Sequence, residues 1–367
     1  MNRRWATLLP VFAIATFAVV TLGILSAAVN AGTFGYDFEA YRGAATRALA
    51  GQPLYDPSVG QAGGFALFLY PPPFVLGMLP FGVLPADLGS WVWLILTVAM
   101  LVAGIWLLPV GARVRWSILL LAGLSWPVAY AFKLGQVGSL LLLLFSAGWR
   151  WQDRPGRLGL VGAIGAIVKI QPGIVLLWAL LTGRWRAAVI GSAVLVTAAV
   201  VSTLLFGGPG IWLDYITLLR NVNDPISTPH NFTVGAVAFQ MGASEAAAGA
   251  LQVASSAVVA GLVVLTALRS SATTSYLVAV VGSQLLSPVL WDHYAMLLLL
   301  PIAALLDRGW WWTVAIPLAT SVLVLPFGLP PILYPVAFGL TLAALIASDR
   351  RAARPASAPG PVIAAAA

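Results

Sequence analysis

Long apolar runs almost free of charge decide what this chain can become. Leu8 to Val29 and Trp91 to Leu108 are each near the roughly 20 residues that a helix needs to cross a hydrocarbon core of about 30 Å. Further apolar segments follow them through to residue 349. Hydrophobic residues make up 60% of the sequence and charged ones only 8%, where a soluble domain carries about 25% charged residues. A soluble globular fold is excluded. Backbone polar groups in lipid must be satisfied within the segment, so runs of this length imply an all-α polytopic membrane protein.

The nineteen basic residues give a net charge of +8, but they are dispersed between apolar runs, not gathered on one face as nucleic-acid binding requires. No nucleic-acid partner is expected, and membrane lipids surround the chain. Basic loops instead mark the cytoplasmic side. There is no cysteine and there are only two histidines, His230 and His293, so disulfides, thiolate chemistry and Cys- or His-rich metal sites are excluded. Arg3 and Arg4 before the first apolar run, with Ala28 to Ala31 behind it, imitate a secretory signal. The run is long enough to span, however, and is read as a retained first helix.

Arg3 and Arg4 hold the N-terminus inside, which delivers a first outer loop, 30–66, to the other side. From Asp37 to Ala50, Phe38, Tyr41, Ala45 and Leu49 alternate with Glu39, Arg42 and Arg47 at the i, i+3 and i+4 spacing of an amphipathic interfacial helix. GQPLYDP then breaks it. Leu67 to Leu84 carries Pro71, Pro72, Pro73 and Pro80 and reads as a kinked or re-entrant element. A re-entrant reading puts Arg113 and Arg115 on the inside; a full crossing would put them outside.

Beyond this point the basic clusters at 150–157, at Arg184 and Arg186, at Arg269, at Arg308 and at Arg350, Arg351 and Arg354 share one face if the spans between them come in pairs. The outer turns are then KLGQVG, KIQPG, a second outer loop at 207–234, LWDHY and Pro326 to Pro331. This gives a single domain over 1–349 with roughly 11 to 13 transmembrane or re-entrant helices, followed by a Pro/Ala-rich disordered cytoplasmic tail at 350–367. Several spans are short, which implies a water-accessible cavity on the outer side.

What gathers at that outer face is nearly all of the chain's chemistry: Asp37, Glu39, Arg42, Lys133, Gln136, Lys169, Gln171, Asp214, Asn223, Asp224, His230, Asn231, Asp292 and His293. An intramembrane or interfacial carboxylate is expensive to keep without work to do. It can serve as a general base, while lysines or arginines hold a phosphate by charge and hydrogen bonds. Lys133 and Lys169 are each followed within three residues by a Gln, in outer turns where charge bias disfavours cations, which points to an anionic ligand. Tyr41 stands on the same amphipathic helix as Asp37, and Trp291 is an aromatic that can stack on a sugar face. The plainer readings are Asp37 as a helix N-cap, Glu39 paired with Arg42, and Arg42 snorkelling to lipid headgroups.

The motif order DFEAY, GQPLYDP, YPPPF, KLGQ, KIQP, HNFTVG and SPVLWDHY resembles glycosyltransferase family 87. These are GT-C-class enzymes dependent on polyprenyl-phosphate sugars, several of them α-(1→2)-mannosyltransferases acting at the outer side of the plasma membrane. The resemblance implies a multi-pass plasma-membrane enzyme with an extracytoplasmic active site, a polyprenyl-phosphate sugar donor, a lipid-linked glycan acceptor and mannose as the sugar, with no need of a metal or other cofactor. By motif it implies Asp37 as catalytic base and His293 as a second active-site residue. Arg42, Lys133, Lys169 and Gln136 are then expected at the donor phosphate, and Glu39, Tyr41, His230, Asn231, Trp291 and Asp292 at the substrate. The sequence departs from the family pattern at Gly138 and Ser139 and in the HNFT stretch, which bears on acceptor and sugar more than on the chemistry. An arabinofuranosyltransferase, or a lipid-carrier or solute transporter, are the rival readings. The internal repeats of secondary transporters are not seen in the sequence.

Overall fold

A computed structural model describes residues 3–56, 67–222, 225–228, 230–321 and 331–352. Asn223, Asp224, residues 57–66, residues 322–330, with most of the turn expected at Pro326 to Pro331, and residues 353–367 lie outside these residues.

The chain opens with α1 (Arg3–Asn30), then α2 (Tyr36–Leu49) and α3 (Phe74–Gly82). A helix does form where the amphipathic spacing places one, as α2, with Phe38, Tyr41, Ala44 and Ala45 buried on one face. At 9 residues, α3 reaches only about 14 Å and cannot cross a membrane. It lies back against α2, where Thr46 Oγ1 donates to Gly82 O at 3.2 Å. The next helix, α4 (Ala86–Leu107), consequently starts at the same end of the molecule as α2. Arg113 and Arg115, after α4, fall at the opposite end, as the re-entrant reading requires: Arg113 lies over the Trp311 ring at 4.4 Å, and Gly111 N donates to Asp307 Oδ1 at 3.1 Å.

Two helices, α5 (Ala112–Leu124) and α6 (Trp126–Leu134), meet at 65°. Pro127 in the first turn of α6 cannot continue a helix from before it and pushes the preceding backbone towards extended geometry. The Trp126 N–H freed by the break is donated to Ser321 Oγ at 3.1 Å, so irregular backbone is satisfied by protein. After them come α7 (Gly138–Arg150), α8 (Pro155–Val168), α9 (Ile174–Leu181) and α10 (Trp185–Leu205). α8 and α10 touch through small residues: a Cβ at Gly159 would stand 2.5 Å from Ala187 O, the close backbone approach that membrane helices use in place of a hydrophobic drive.

The segment read as a second outer loop is not all loop, because it holds α11 (Gly210–Val222). Ile211, Tyr215 and Leu218 are buried at i, i+4 and i+7, while Leu213 is exposed, so the helix is amphipathic. The chain continues with α12 (Val234–Gln240), α13 (Glu245–Arg269), α14 (Ala272–Leu285), a 3-10 segment at Asp292–Leu298, α15 (Leu299–Asp307), α16 (Ala315–Ala319) and α17 (Leu333–Ala352). That last helix runs three residues into the stretch expected as tail.

Among the described residues four helices, α1, α4, α10 and α13, are long and apolar enough to cross a membrane, and the bent α5–α6 pair makes a fifth candidate. Side chains such as Val19, Ile95, Val196, Leu204 and Val253 are exposed, as a lipid-facing surface requires. By contrast α14, α15 and the 292–298 segment are buried almost throughout and form the centre of the bundle. The two polar ends are distinct. At one, Arg184 pairs with Asp153 at 2.9 Å and Arg308 donates to Ser348 Oγ at 2.6 Å. At the other lie α2 and the turns after α6, α8 and α14.

Candidate active site

At this second end the chain brings together side chains far apart in sequence. α2 starts from Gly35, whose φ of 74° is left-handed and which has no room for a Cβ, since one would meet Ser90 Oγ at 2.7 Å. With Gly35 as the cap residue, Asp37 is not the N-cap; it stands in the first turn, where the helix dipole favours a carboxylate. Gln136 Nε2 donates to Asp37 Oδ2. The amide oxygen of the same Gln136 lies 3.2 Å from Tyr41 OH and 3.1 Å from Tyr70 OH, and the two hydroxyls are 2.7 Å apart.

Across from this network, Lys169 Nζ donates to Tyr294 OH at 2.8 Å and sits over the Tyr294 ring at 4.1 Å and the Tyr70 ring at 5.6 Å. His293 is buried, and neither Nδ1 nor Nε2 has a hydrogen-bond partner among the described residues. Asp292 Oδ1 comes within 3.6 Å of Nδ1, too far for a hydrogen bond, and is instead occupied by the His293 backbone N–H at 2.8 Å. Tyr130 links His293 to Lys133: its ring centroid is 6.4 Å from the imidazole and 5.6 Å from Lys133 Nζ. Burial lifts the Asp37 carboxyl above its ordinary range, opposed by His293, the Gln136 hydrogen bond and Lys169, while Asp292 reinforces the rise. Asp37, Lys169, Asp292 and His293 thus share one field.

The structure redistributes the other expectations. Gln136, expected at a donor phosphate, has both ends of its amide engaged by Asp37 and the tyrosines. Arg42 and Glu39 form an ion pair at 2.8 Å on a neighbouring face of α2, with the Arg42 stem over Gly89, as the plainer reading has it. Asn231, expected at the substrate, is fully buried and donates to Pro225 O and Pro288 O while accepting from Thr233 N and Leu290 N. Its side-chain amide thereby ties Pro225 and Thr233 to the chain before Trp291. His230 is exposed with φ 58°, and Trp291 is half-buried against the core. Tyr70, Tyr130 and Tyr294 were not among the residues expected. Tyr70 opens YPPPF and Tyr294 closes LWDHY, so both motifs carried the signal in residues read only as flanks.

A cavity of about 240 Å³ lies beside this network, lined among others by Gln52, Tyr55, Phe206 and Asp214; Tyr55 OH donates to Tyr70 O at 2.7 Å. A second, of about 350 Å³, lies at the opposite end between Arg150, Asp153, Asp307 and Arg308. Among the described residues no three His, Cys, Asp or Glu side chains converge to hold a metal. What the arrangement offers chemically is a carboxylate with one oxygen engaged, an ammonium group and an imidazole with uncommitted nitrogens.

No curated protein and no solved structure matches this chain. A sequence model of glycosyltransferase family 87 matches residues 68–290. That span includes Tyr70, Gln136 and Lys169, begins after Asp37 and stops short of His293. With well over half of the chain matched and a helical, membrane-spanning architecture around it, the protein belongs to glycosyltransferase family 87.

Proposed function

We propose that the protein is an inverting glycosyltransferase of GT-C architecture. It moves a sugar, mannose being the first candidate, from a polyprenyl-phosphate donor to a hydroxyl of a lipid-linked glycan, on the extracytoplasmic side of the plasma membrane. Asp37 takes the proton from the acceptor hydroxyl as its oxygen attacks the anomeric carbon. The bond from that carbon to the phosphate oxygen breaks, the electron pair leaves with the polyprenyl phosphate, and the configuration inverts. A phosphate is a good leaving group, so a single base suffices and the paired carboxylates of a glycoside hydrolase are not needed. Lys169 neutralises charge on the departing phosphate and His293 donates a hydrogen bond to it, and Lys133 stands at the edge of the same cluster.

The observation that carries this reading is the convergence of a hydrogen-bonded carboxylate, an ammonium group and a buried histidine with no hydrogen-bond partner among the described residues at one end of an oily bundle. The basic clusters at the other end support the orientation, since cytoplasmic ends accumulate Lys and Arg. Incubating purified protein with a panel of radiolabelled polyprenyl-phosphate sugars and membrane lipid extract, followed by linkage analysis, tests it. Glycosylated lipid from the wild type and none from Asp37→Asn is the expected result. A fully active Asp37→Asn, or movement of carrier across vesicles with no new glycosidic bond, overturns the reading. The same panel separates mannose from arabinofuranose.

A further inference from the structure

We infer that Gln136 is the positioning residue for Asp37, holding the carboxylate so that Oδ2 is occupied and Oδ1 alone faces the acceptor hydroxyl. This inference rests on the reading of Asp37 as the base and adds a residue to it. The geometry leaves the amide one orientation. Its Nε2 meets Asp37 Oδ2, while Oε1 faces the hydroxyls of Tyr41 and Tyr70. Flipping the amide would set its carbonyl oxygen against the carboxylate, acceptor against acceptor.

The backbone of Gln136 is held as firmly as its side chain. Its N–H donates to Ala131 O at 2.9 Å, immediately after the left-handed Gly135 that ends α6. Gln136, Tyr41 and Tyr70 are all buried, and buried polar groups tied into one network are costly to rearrange. The groups acting on Asp37 from the surrounding elements are His293 and Asp292, Lys169, and the hydroxyls of Tyr41, Tyr70 and Tyr130. Among these contacts, the Gln136 amide is the one that fixes which carboxylate oxygen is free to take the proton.

The test uses full-length protein in detergent, with Gln136→Leu, Gln136→Glu and Asp37→Asn. Infrared pH titration follows the carboxyl band that Asp37→Asn removes, and needs no turnover. In Gln136→Leu the titration midpoint moves to higher pH, because a hydrogen bond to the charged form has been lost. With a polyprenyl-phosphate sugar donor, kcat at neutral pH drops by about 100-fold, the scale of a misplaced reacting group, while donor KM stays within about 2-fold. Gln136→Glu preserves the shape of the network and can still donate when protonated. Its kcat falls away above the pH at which the carboxyl pair gives up its shared proton, where wild type keeps its activity.

An unmoved midpoint in Gln136→Leu sinks the positioning role whatever the activity, as does a raised donor KM with kcat kept. Should Gln136→Leu fail to fold, a Gln136→Glu profile identical to wild type sinks it equally. Absence of sugar transfer by the wild type sinks the enzymatic reading instead, and the infrared result keeps the two failures apart.

Discussion

The backbone N–H of Gly35 donates to the carbonyl of Lys133 at 2.9 Å. That one bond joins the start of α2 to the end of α6 and brings Asp37 to Gln136 across 99 residues of sequence. Trp93 Nε1, donating to Gly135 O at 2.7 Å, pins the same turn from α4. A carboxylate carried on an amphipathic helix is thereby held on a scaffold built from three separate stretches of chain.

Gly135→Ala tests that scaffold. Gly135 has φ 73°, and a Cβ there would stand 2.7 Å from Phe38 Cβ. A left-handed non-glycine residue costs about 1–3 kcal/mol, and the contact must be relieved by moving α2 away from α6. Thermal unfolding in detergent is expected at lower temperature, with kcat lowered as well, because Asp37 and Gln136 separate.

Asp37→Asn should separate activity from stability. Loss of a general base lowers kcat by about 100- to 10,000-fold. The carboxyl is raised in the folded protein, chiefly by burial, so the native state holds its proton to higher pH than the unfolded chain. The sign follows: stability declines as the pH rises from the ordinary carboxylate range through the folded value, and the cost is fully present above it. Asparagine removes the cost. The variant is expected to melt higher than wild type at neutral pH and to lose that advantage in acid, which unfolding curves against pH will show. A wild type and variant with parallel pH dependence would contradict the raised carboxyl.

Lys169→Met should weaken the grip on the donor. A charge-assisted contact of this kind is worth about 1.5–3 kcal/mol, or roughly 10- to 150-fold in donor affinity at 1.4 kcal/mol per decade. Tyr294→Phe, which removes only the hydroxyl bonded to the ammonium group, should have a smaller effect in the same direction. Donor titration against either variant checks both expectations.

At the other end, Asp349→Ala should affect stability alone. Asp349 accepts from Ser271 N at 3.1 Å, Ser271 Oγ at 2.5 Å and Thr274 Oγ1 at 2.9 Å, fastening the end of α17 to the start of α14. Removing it leaves these donors to water and costs about 1–3 kcal/mol. Thermal unfolding should come earlier, with kcat unchanged at temperatures where the variant is folded.

Much of the architecture was legible in the chain because hydrophobic periodicity is local. The apolar runs imply membrane helices whatever surrounds them, and the spacing from Asp37 to Ala50 locates α2 to within one residue of Tyr36–Leu49. The Pro-laden 67–84 stretch yields a helix too short to span. α11 escaped, although its buried Ile211, Tyr215 and Leu218 have helical spacing, because polar flanks made 207–234 read as loop.

The sequence by itself determined that this is an oily helical bundle and that its few ionisable residues would have to be sheltered, since charge in lipid is costly wherever it falls. Only the tertiary structure decided the pairings: Gln136 with Asp37, Lys169 with Tyr294, Asn231 with the backbone of Leu290, and Tyr70 drawn in from the edge of a proline run. Helical periodicity says which face a residue occupies, but not which distant helix will meet that face. In a bundle where each buried polar atom needs a partner, that choice is made by how the helices pack.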